Sequence, residues 1–369
     1  MIERCLELVG YPPAPRADGL FSPGGSLSNM YGMTLARFEK FPNVKRTGLS
    51  GLPTLVCFTS EGGHYSIKKG AHWLGLGTDH VREVRTDDAG RMLPDDLRAA
   101  IAEERSRGRV PLLVNATCGT TVLGAFDPLP EIAAICRKEG LWMHVDACLG
   151  GTLLLSEKYR DRLKGIELSD SVAWNPHKML GAPFQCSVFL VKRENALLEA
   201  NRANANYLFQ SDKPYDVGWD TGDKSVQCGR KVDAFKLWLM WKARGTSGLR
   251  ASVDRAMAMA EYFLRRIEAC EGFRPLLPRY DCCNVCFWYV PPSMRGRKET
   301  ADWWKRIYEI TTKIKERAMI EGTLMIGYMP LSHKQVGNFF RMVVTCHPPP
   351  TEASMDHVIE QIVQFGADL

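Results

Sequence analysis

Ser171-Val172-Ala173-Trp174-Asn175-Pro176-His177-Lys178 is a short apolar run that breaks into a polar turn ending in a lysine. Upstream, Leu141-Trp142-Met143-His144-Val145-Asp146 is a second apolar run, and it ends in a carboxylate. Both runs read as buried strands, so the amine and the carboxylate stand at strand ends. That pairing suits a pyridoxal phosphate site. A lysine amine condenses with the cofactor aldehyde, and a carboxylate facing the ring nitrogen keeps it protonated so that the ring can accept electrons from a breaking bond.

Outward from this pair, strand-like and helix-like segments alternate. Residues 52–58, 109–116, 141–146, 171–174 and 186–192 read as strands, and 28–38, 65–74 and 128–138 as helices. The alternation predicts an α/β domain with a mainly parallel, helix-covered sheet. Catalytic groups in such sheets gather beyond the carboxyl ends of the strands, where Asp146, Lys178 and Thr120 fall. Residues 5–10 read as the end of an amphipathic helix stopped by Gly10. Segment 211–229, rich in Asp, Gly and Lys, reads as a mobile loop, and 232–241 has a helical apolar period. Beyond it, helical periods over 250–269, 301–321 and 355–365 surround strands at 284–290 and 339–346. The expectation is a large cofactor-binding domain over 1–243, whose first twenty residues are the remnant of an N-terminal segment, and a small α+β domain over 244–369.

The chain has 369 residues and a net charge of +6 spread without a basic block, which argues against nucleic acid as a partner. No apolar run is long enough to span a bilayer, and the start Met1-Ile2-Glu3-Arg4 lacks the apolar core of a secretory signal. Most of the twelve cysteines lie inside apolar stretches, as in Leu55-Val56-Cys57-Phe58, which suits reduced thiols in a cytoplasmic protein. Asp281-Cys282-Cys283-Asn284-Val285-Cys286 has no second Cys/His pair at zinc spacing, so strand packing is the better reading and no metal is expected.

Further groups fit around the lysine and the carboxylate. Asn175 and His177 can donate to a phosphate, although a surface turn is the plain alternative. Asp146, buried, wants a cation beside it, a pyridinium N–H being one and a metal or helix cap being others. Cys148 would lie against the ring face. His64, after the strand at 52–58, could stack flat on the ring and hold a proton near the reacting carbon, or be an ordinary loop histidine. Gly24-Gly25-Ser26-Leu27-Ser28 opens a helix, an anion cradle in which Ser28 joins the backbone N–H groups, and Thr120 could touch phosphate or cap the Asp146 region. Arg341, inside the apolar run Gly337-Asn338-Phe339-Phe340-Arg341, wants a carboxylate, from the substrate or from within the chain.

Together these stretches resemble the group II pyridoxal phosphate-dependent amino acid decarboxylases over essentially the whole chain. The motifs fall in order: Phe21-Ser22-Pro23-Gly24-Gly25-Ser26, Asn115-Ala116-Thr117-Cys118-Gly119-Thr120-Thr121, Trp174-Asn175-Pro176-His177-Lys178-Met179, Tyr207-Leu208-Phe209-Gln210, Asp220-Thr221-Gly222-Asp223-Lys224 and Asn338-Phe339-Phe340-Arg341. The resemblance implies the aspartate aminotransferase-like fold (fold type I), a homodimer, and decarboxylation of a small acidic amino acid. Val122-Leu123-Gly124-Ala125-Phe126-Asp127 and His64-Tyr65-Ser66-Ile67-Lys68-Lys69 lean toward cysteine sulfinate, giving hypotaurine on the way to taurine, with aspartate or glutamate as alternatives. It also implies Lys178 as the cofactor lysine, Asp146 as ring-nitrogen partner, His64 on the ring, Ser28, Thr120, Asn175 and His177 on the phosphate side, and Arg341 on the substrate carboxylate. Tyr215, in Asp212-Lys213-Pro214-Tyr215, matches the mobile-loop tyrosine that protonates the α-carbon, with His64 as the other donor. Two features depart from the family pattern: the family carries a long segment before the point where this chain begins, and Leu149 stands where the family usually has an aromatic residue after Asp146-Ala147-Cys148. A non-catalytic homologue that pairs with a longer partner, and a transaminase on the same fold, are the competing readings.

Overall fold

The computed structural model describes residues 1–369 except Asn206, Ser211, Asp216, Gly218 and Trp219. Among the described residues the chain runs α1 (Ile2–Val9), β1 (Asp18–Ser22), α2 (Gly25–Lys40), α3 (Val44–Thr47), β2 (Leu55–Ser60), α4 (Ser66–Trp73), β3 (Val81–Val84), α5 (Pro94–Ser106), β4 (Val110–Thr117), α6 (Leu129–Glu139), β5 (Trp142–Asp146), β6 (Ser171–Trp174), β7 (Ser187–Val191) and α7 (Ala196–Asn201). It continues through α8 (Asp233–Ala269), β8 (Phe273–Pro275), β9 (Asn284–Tyr289), α9 (Ala301–Glu321), β10 (Gly327–Leu331), β11 (Val336–Val343) and α10 (Glu352–Gly366).

The first seven strands form one sheet in the order β1-β7-β6-β5-β4-β2-β3. β3, β2, β4, β5 and β6 are parallel, as the alternation predicts, and β7 is antiparallel to both β6 and β1. β2, β5 and β6 are nearly or wholly buried along their length, because helices cover both faces of such a sheet and leave no polar face to alternate with. Register aligns the strand ends: Thr117 pairs with Asp146, and Asp146 with Ala173. At the other side Ser22, the last residue of β1, pairs with Ser187, beside the Trp174–Val188 pair. The antiparallel return of β7 therefore delivers the Gly24–Gly25 turn to the same edge as the ends of β5 and β6.

The last four strands form an antiparallel sheet, β10-β11-β9-β8, backed by α8, α9 and α10. This sheet meets the first one at the turn after β4, where Asn284 Nδ2 donates to the carbonyls of Thr121 and Val122, each at 3.0 Å. The apolar periods at 232–241 and 250–269 are one element, α8, broken at Gly245, whose φ of 66° and ψ of 170° stop regular helix and suit glycine alone. Gly10 ends α1 in the left-handed conformation, φ 81°, as the glycine stop predicts.

Candidate active site

A cavity of about 460 Å³ opens at the carboxyl edge of the parallel strands. Asp146, Cys148, Asn175, His177, Lys178 and His64 all line it, together with Gly24, Gly25, Ser26 and Asn29 from the start of α2. Larger grooves of about 570 and 750 Å³ elsewhere hold none of the six.

Asp146 is almost wholly buried. Its Oδ1 accepts the Cys148 backbone N–H at 3.1 Å and its Oδ2 accepts Asn29 Nδ2–H at 2.8 Å. Burial pushes its pKa up, but the Lys178 ammonium and the Cys148 and Asn29 donors outweigh burial, and the carboxyl stays below its ordinary value. It is therefore ionised, and no ion pair neutralises it at contact distance among the described residues. The Lys178 ammonium likewise has no hydrogen-bond partner among the described residues.

His64 follows β2 and lies half-buried, with Nδ1 2.8 Å from Ser66 Oγ. Burial lowers its pKa; Asp146 opposes this, and Lys178 and Lys69 add to it, so the ring is neutral at pH 7. Asn175 Oδ1 accepts the Ser187 hydroxyl at 2.6 Å, which fixes the amide. His177 Nδ1 meets the Cys186 carbonyl at 2.5 Å. Gly25 packs so closely that a Cβ there would stand 2.4 Å from Cys148 Sγ and 2.8 Å from Asn175 Nδ2, and Gly24 has φ 138°, so both glycines are required by the turn.

Four expected groups stand differently. Ser28 does not present its hydroxyl to the cavity: it is fully buried and engaged with Ser22 Oγ at 2.6 Å and Ser187 Oγ at 3.0 Å, so the α2 start offers backbone and Ser26 instead. Thr120 Oγ1 accepts the Ala125 N–H at 2.9 Å and holds its own turn, while Gly119 and Thr121 on either side line the cavity. Tyr215 is not brought to the cavity. It is 51% exposed, its hydroxyl donates to Asp220 at 3.3 Å, and Lys213 anchors the same carboxylate at 2.6 Å. Arg341 stands behind the cavity wall, donating to the Thr121 carbonyl; its Nε is buried without a partner, and no carboxylate pairs with it among the described residues.

The model of the pyridoxal-dependent decarboxylase conserved domain matches residues 1–290. The chain belongs to the pyridoxal-dependent decarboxylases. Cysteine sulfinic acid decarboxylase of Mus musculus is 51% identical over 370 residues, covering 100% of this chain and 74% of that protein. Acidic amino acid decarboxylase GADL1 of Bos taurus is 50% identical over 371 residues, covering 100% and 70%. The crystal structure of mouse CSAD superposes with a TM-score of 0.94 at 50% identity, over 100% of this chain and 75% of that one. The tryptophan decarboxylase of Catharanthus roseus, 24% identical, has the same fold at a TM-score of 0.83.

This decarboxylase is thus a pyridoxal phosphate-dependent carboxy-lyase of an amino acid, on fold type I. Its cavity fits that cofactor: a buried, ionised carboxylate and a lysine amine, neither with an ion-pair partner among the described residues, and a glycine turn in which Gly25 leaves no room for a side chain face one space. No group of three or more His, Cys, Asp or Glu side chains is placed to hold a metal among the described residues, and no described helix is long and apolar enough to cross a membrane.

Sequence reasoning missed Asn29, Ser66 and His144, all fully buried around Asp146. The available signal was polarity in the wrong place: an asparagine and a histidine inside apolar periods need partners.

Proposed function

We propose that this decarboxylase acts on a small acidic amino acid, cysteine sulfinate first and aspartate or glutamate second. What supports the reading is identity of about half, over the whole of this chain, with proteins named for cysteine sulfinate and for acidic amino acids. Lys178 would hold the cofactor through its amine, Asp146 would face the ring nitrogen, and His64 and Cys148 would lie on the ring faces. Asn175, His177 and the backbone of the Gly24–Ser26 turn would hold the phosphate, the two side chains being fixed in place by Ser187 and Cys186. When bound, the cofactor supplies an electron sink for the carbon–carbon bond that breaks. Asp146 keeps its negative charge because Lys178, Cys148 and Asn29 stabilise it, and so holds a proton on the nitrogen opposite. Arg341, with Nε unsatisfied, is the cation available for the substrate carboxylate. Tyr215 would return the proton to the α-carbon once its hydroxyl leaves Asp220, where it now rests.

A division into a large unit over 1–243 and a small one over 244–369 is supported by the break in α8 at Gly245. Assembly as a homodimer is supported by Trp73 and Phe184, both 77% exposed at the cavity mouth, where a second subunit would cover them. The test is a product assay across cysteine sulfinate, aspartate and glutamate on protein that sediments as a dimer. Amine and carbon dioxide should form fastest from cysteine sulfinate, and Lys178→Ala should lose both turnover and cofactor colour. Keto-acid product, or no turnover of any of the three, refutes the reading.

A further inference from the structure

Asn29 is the hub of a hydrogen-bond chain that joins Asp146 to His64. Its Nδ2 is 2.8 Å from Asp146 Oδ2 and 2.8 Å from Ser66 Oγ, and its Oδ1 is 3.0 Å from His144 Nε2. Beyond His144, Nδ1 lies 2.8 Å from Ser171 Oγ, which also receives the Trp142 indole N–H at 2.8 Å. Beyond Ser66, Oγ lies 2.8 Å from His64 Nδ1, and the Ser66 backbone N–H points to the same nitrogen at 3.3 Å.

Two members have no choice of role, and they determine the others. An ionised Asp146 only accepts, so the Asn29 amide must turn its NH₂ toward it and its carbonyl toward His144. His144 therefore carries its proton on Nε2, and its Nδ1 accepts from Ser171, whose oxygen takes the indole N–H, a donor only. On the other side the second amide hydrogen of Asn29 fills a lone pair of Ser66 Oγ. The Ser66 backbone N–H donates to His64 Nδ1, so that nitrogen is the acceptor and takes the Ser66 hydroxyl hydrogen as well. A neutral imidazole has one N–H, so that of His64 is on Nε2.

We propose that Asn29 and Ser66 are positioning residues that hold His64 as a neutral Nε2–H donor, making it a hydrogen-bond donor to an anionic oxygen of the bound amino acid and not a base. The Nδ1 lone pair is used by Ser66, and loss of the Nε2 proton would leave an anionic ring, so His64 orients charge without exchanging its proton. The consequence for turnover rests on the decarboxylase reading; the tautomers do not.

The test is long-range ¹H–¹⁵N correlation of histidine-labelled full-length protein without cofactor at neutral pH, the His64 signals being assigned by their loss in His64→Asn. Wild type should show the Nε2–H pattern for both His64 and His144. Ser66→Ala should give mixed tautomers at His64 while His144 is unchanged, and in the loaded enzyme kcat should fall about tenfold, the equivalent of one hydrogen bond. An Nδ1–H pattern at His64 in wild type, or an unaltered His64 pattern in Ser66→Ala, overturns the proposal whatever the product assay gives.

Discussion

Asp146→Asn separates the charge at the ring-nitrogen position from the shape of the cavity. The substituted amide can keep its oxygen on the fixed Cys148 N–H, now at 3.1 Å, which turns its NH₂ toward Asn29 Nδ2, now at 2.8 Å. Two donors cannot share that contact, and a flip of Asn29 would only turn its NH₂ onto the His144 Nε2–H, so the network loses one hydrogen bond at either end. The buried charge and its desolvation cost disappear at the same time. These effects oppose one another, and the apoprotein should change in stability by no more than about 1 kcal/mol. Cofactor affinity has no such compensation. A hydrogen bond to a charged group contributes about 1.5–3 kcal/mol, and losing about 2 kcal/mol of it weakens binding about thirtyfold. Turnover should fall further, because the ring nitrogen is no longer held protonated. Cofactor titration by absorbance, with urea unfolding of the apoprotein alongside, measures both. A dissociation constant within threefold of wild type would show that Asp146 does not face the cofactor and would refute the reasoning.

Gly25→Ala should lower the unfolding temperature and weaken cofactor binding, since overpacking against Cys148 and a Ser187-fixed Asn175 costs about 1–3 kcal/mol; Cys148→Ala in the same chain should recover part of the loss, and a wild-type melting curve for the single variant speaks against the turn geometry. Buried His144 has its pKa pushed down to about 4, so it contributes stability above its ordinary value of 6.5 that is lost as pH falls toward 4, about 3 kcal/mol in all. Buried Asp127 acts oppositely: burial raises its pKa to about 7 against the Met92 and Thr117 N–H donors, so its contribution is present at low pH and lost as pH rises through 7. The Asp127 loss runs from about pH 4 to 7, where the His144 contribution grows, so urea midpoints of wild type should change little between about pH 4.5 and 6.5 while those of Asp127→Asn rise, and parallel curves for the two proteins contradict this.

The central strands were legible because burial on both faces turns them into apolar runs, as Leu55–Ser60 and Trp142–Asp146 are. β1 and β3 were not: Asp18–Ser22 opens with Asp-Gly, and Val81–Val84 is an edge strand with two charged residues in its middle. The long helix α8 read as two because Gly245 interrupts its period. At the site, residues that follow strand ends line one cavity, where Asp146, Lys178, His64, Cys148, Asn175 and His177 converge. Ser28 and Thr120 belong to turns that also converge, but whether a hydroxyl faces a cavity or its own backbone depends on rotamer and neighbours such as Ser187 and Ala125, which spacing does not encode.

The residues that escaped notice share a physical reason. Asn29 lies one turn into α2, Ser66 opens α4 and His144 is within β5, so no local pattern joins them. They become one network only when the sheet order sets α2 against β5 and α4. The network also explains why a carboxylate can stay ionised in so closed a place. Asp146 keeps one donor from its own chain turn and one from Asn29, and the Asn29 donor is aimed by His144, whose own proton is set by Ser171 and Trp142. Each link has a donor whose direction is decided by the next, and the charge at Asp146 decides the direction at the hub. A change at Trp142 or Ser171, distant in sequence from every cofactor motif, therefore acts on the same carboxylate that the motif Asp146-Ala147-Cys148 was read for.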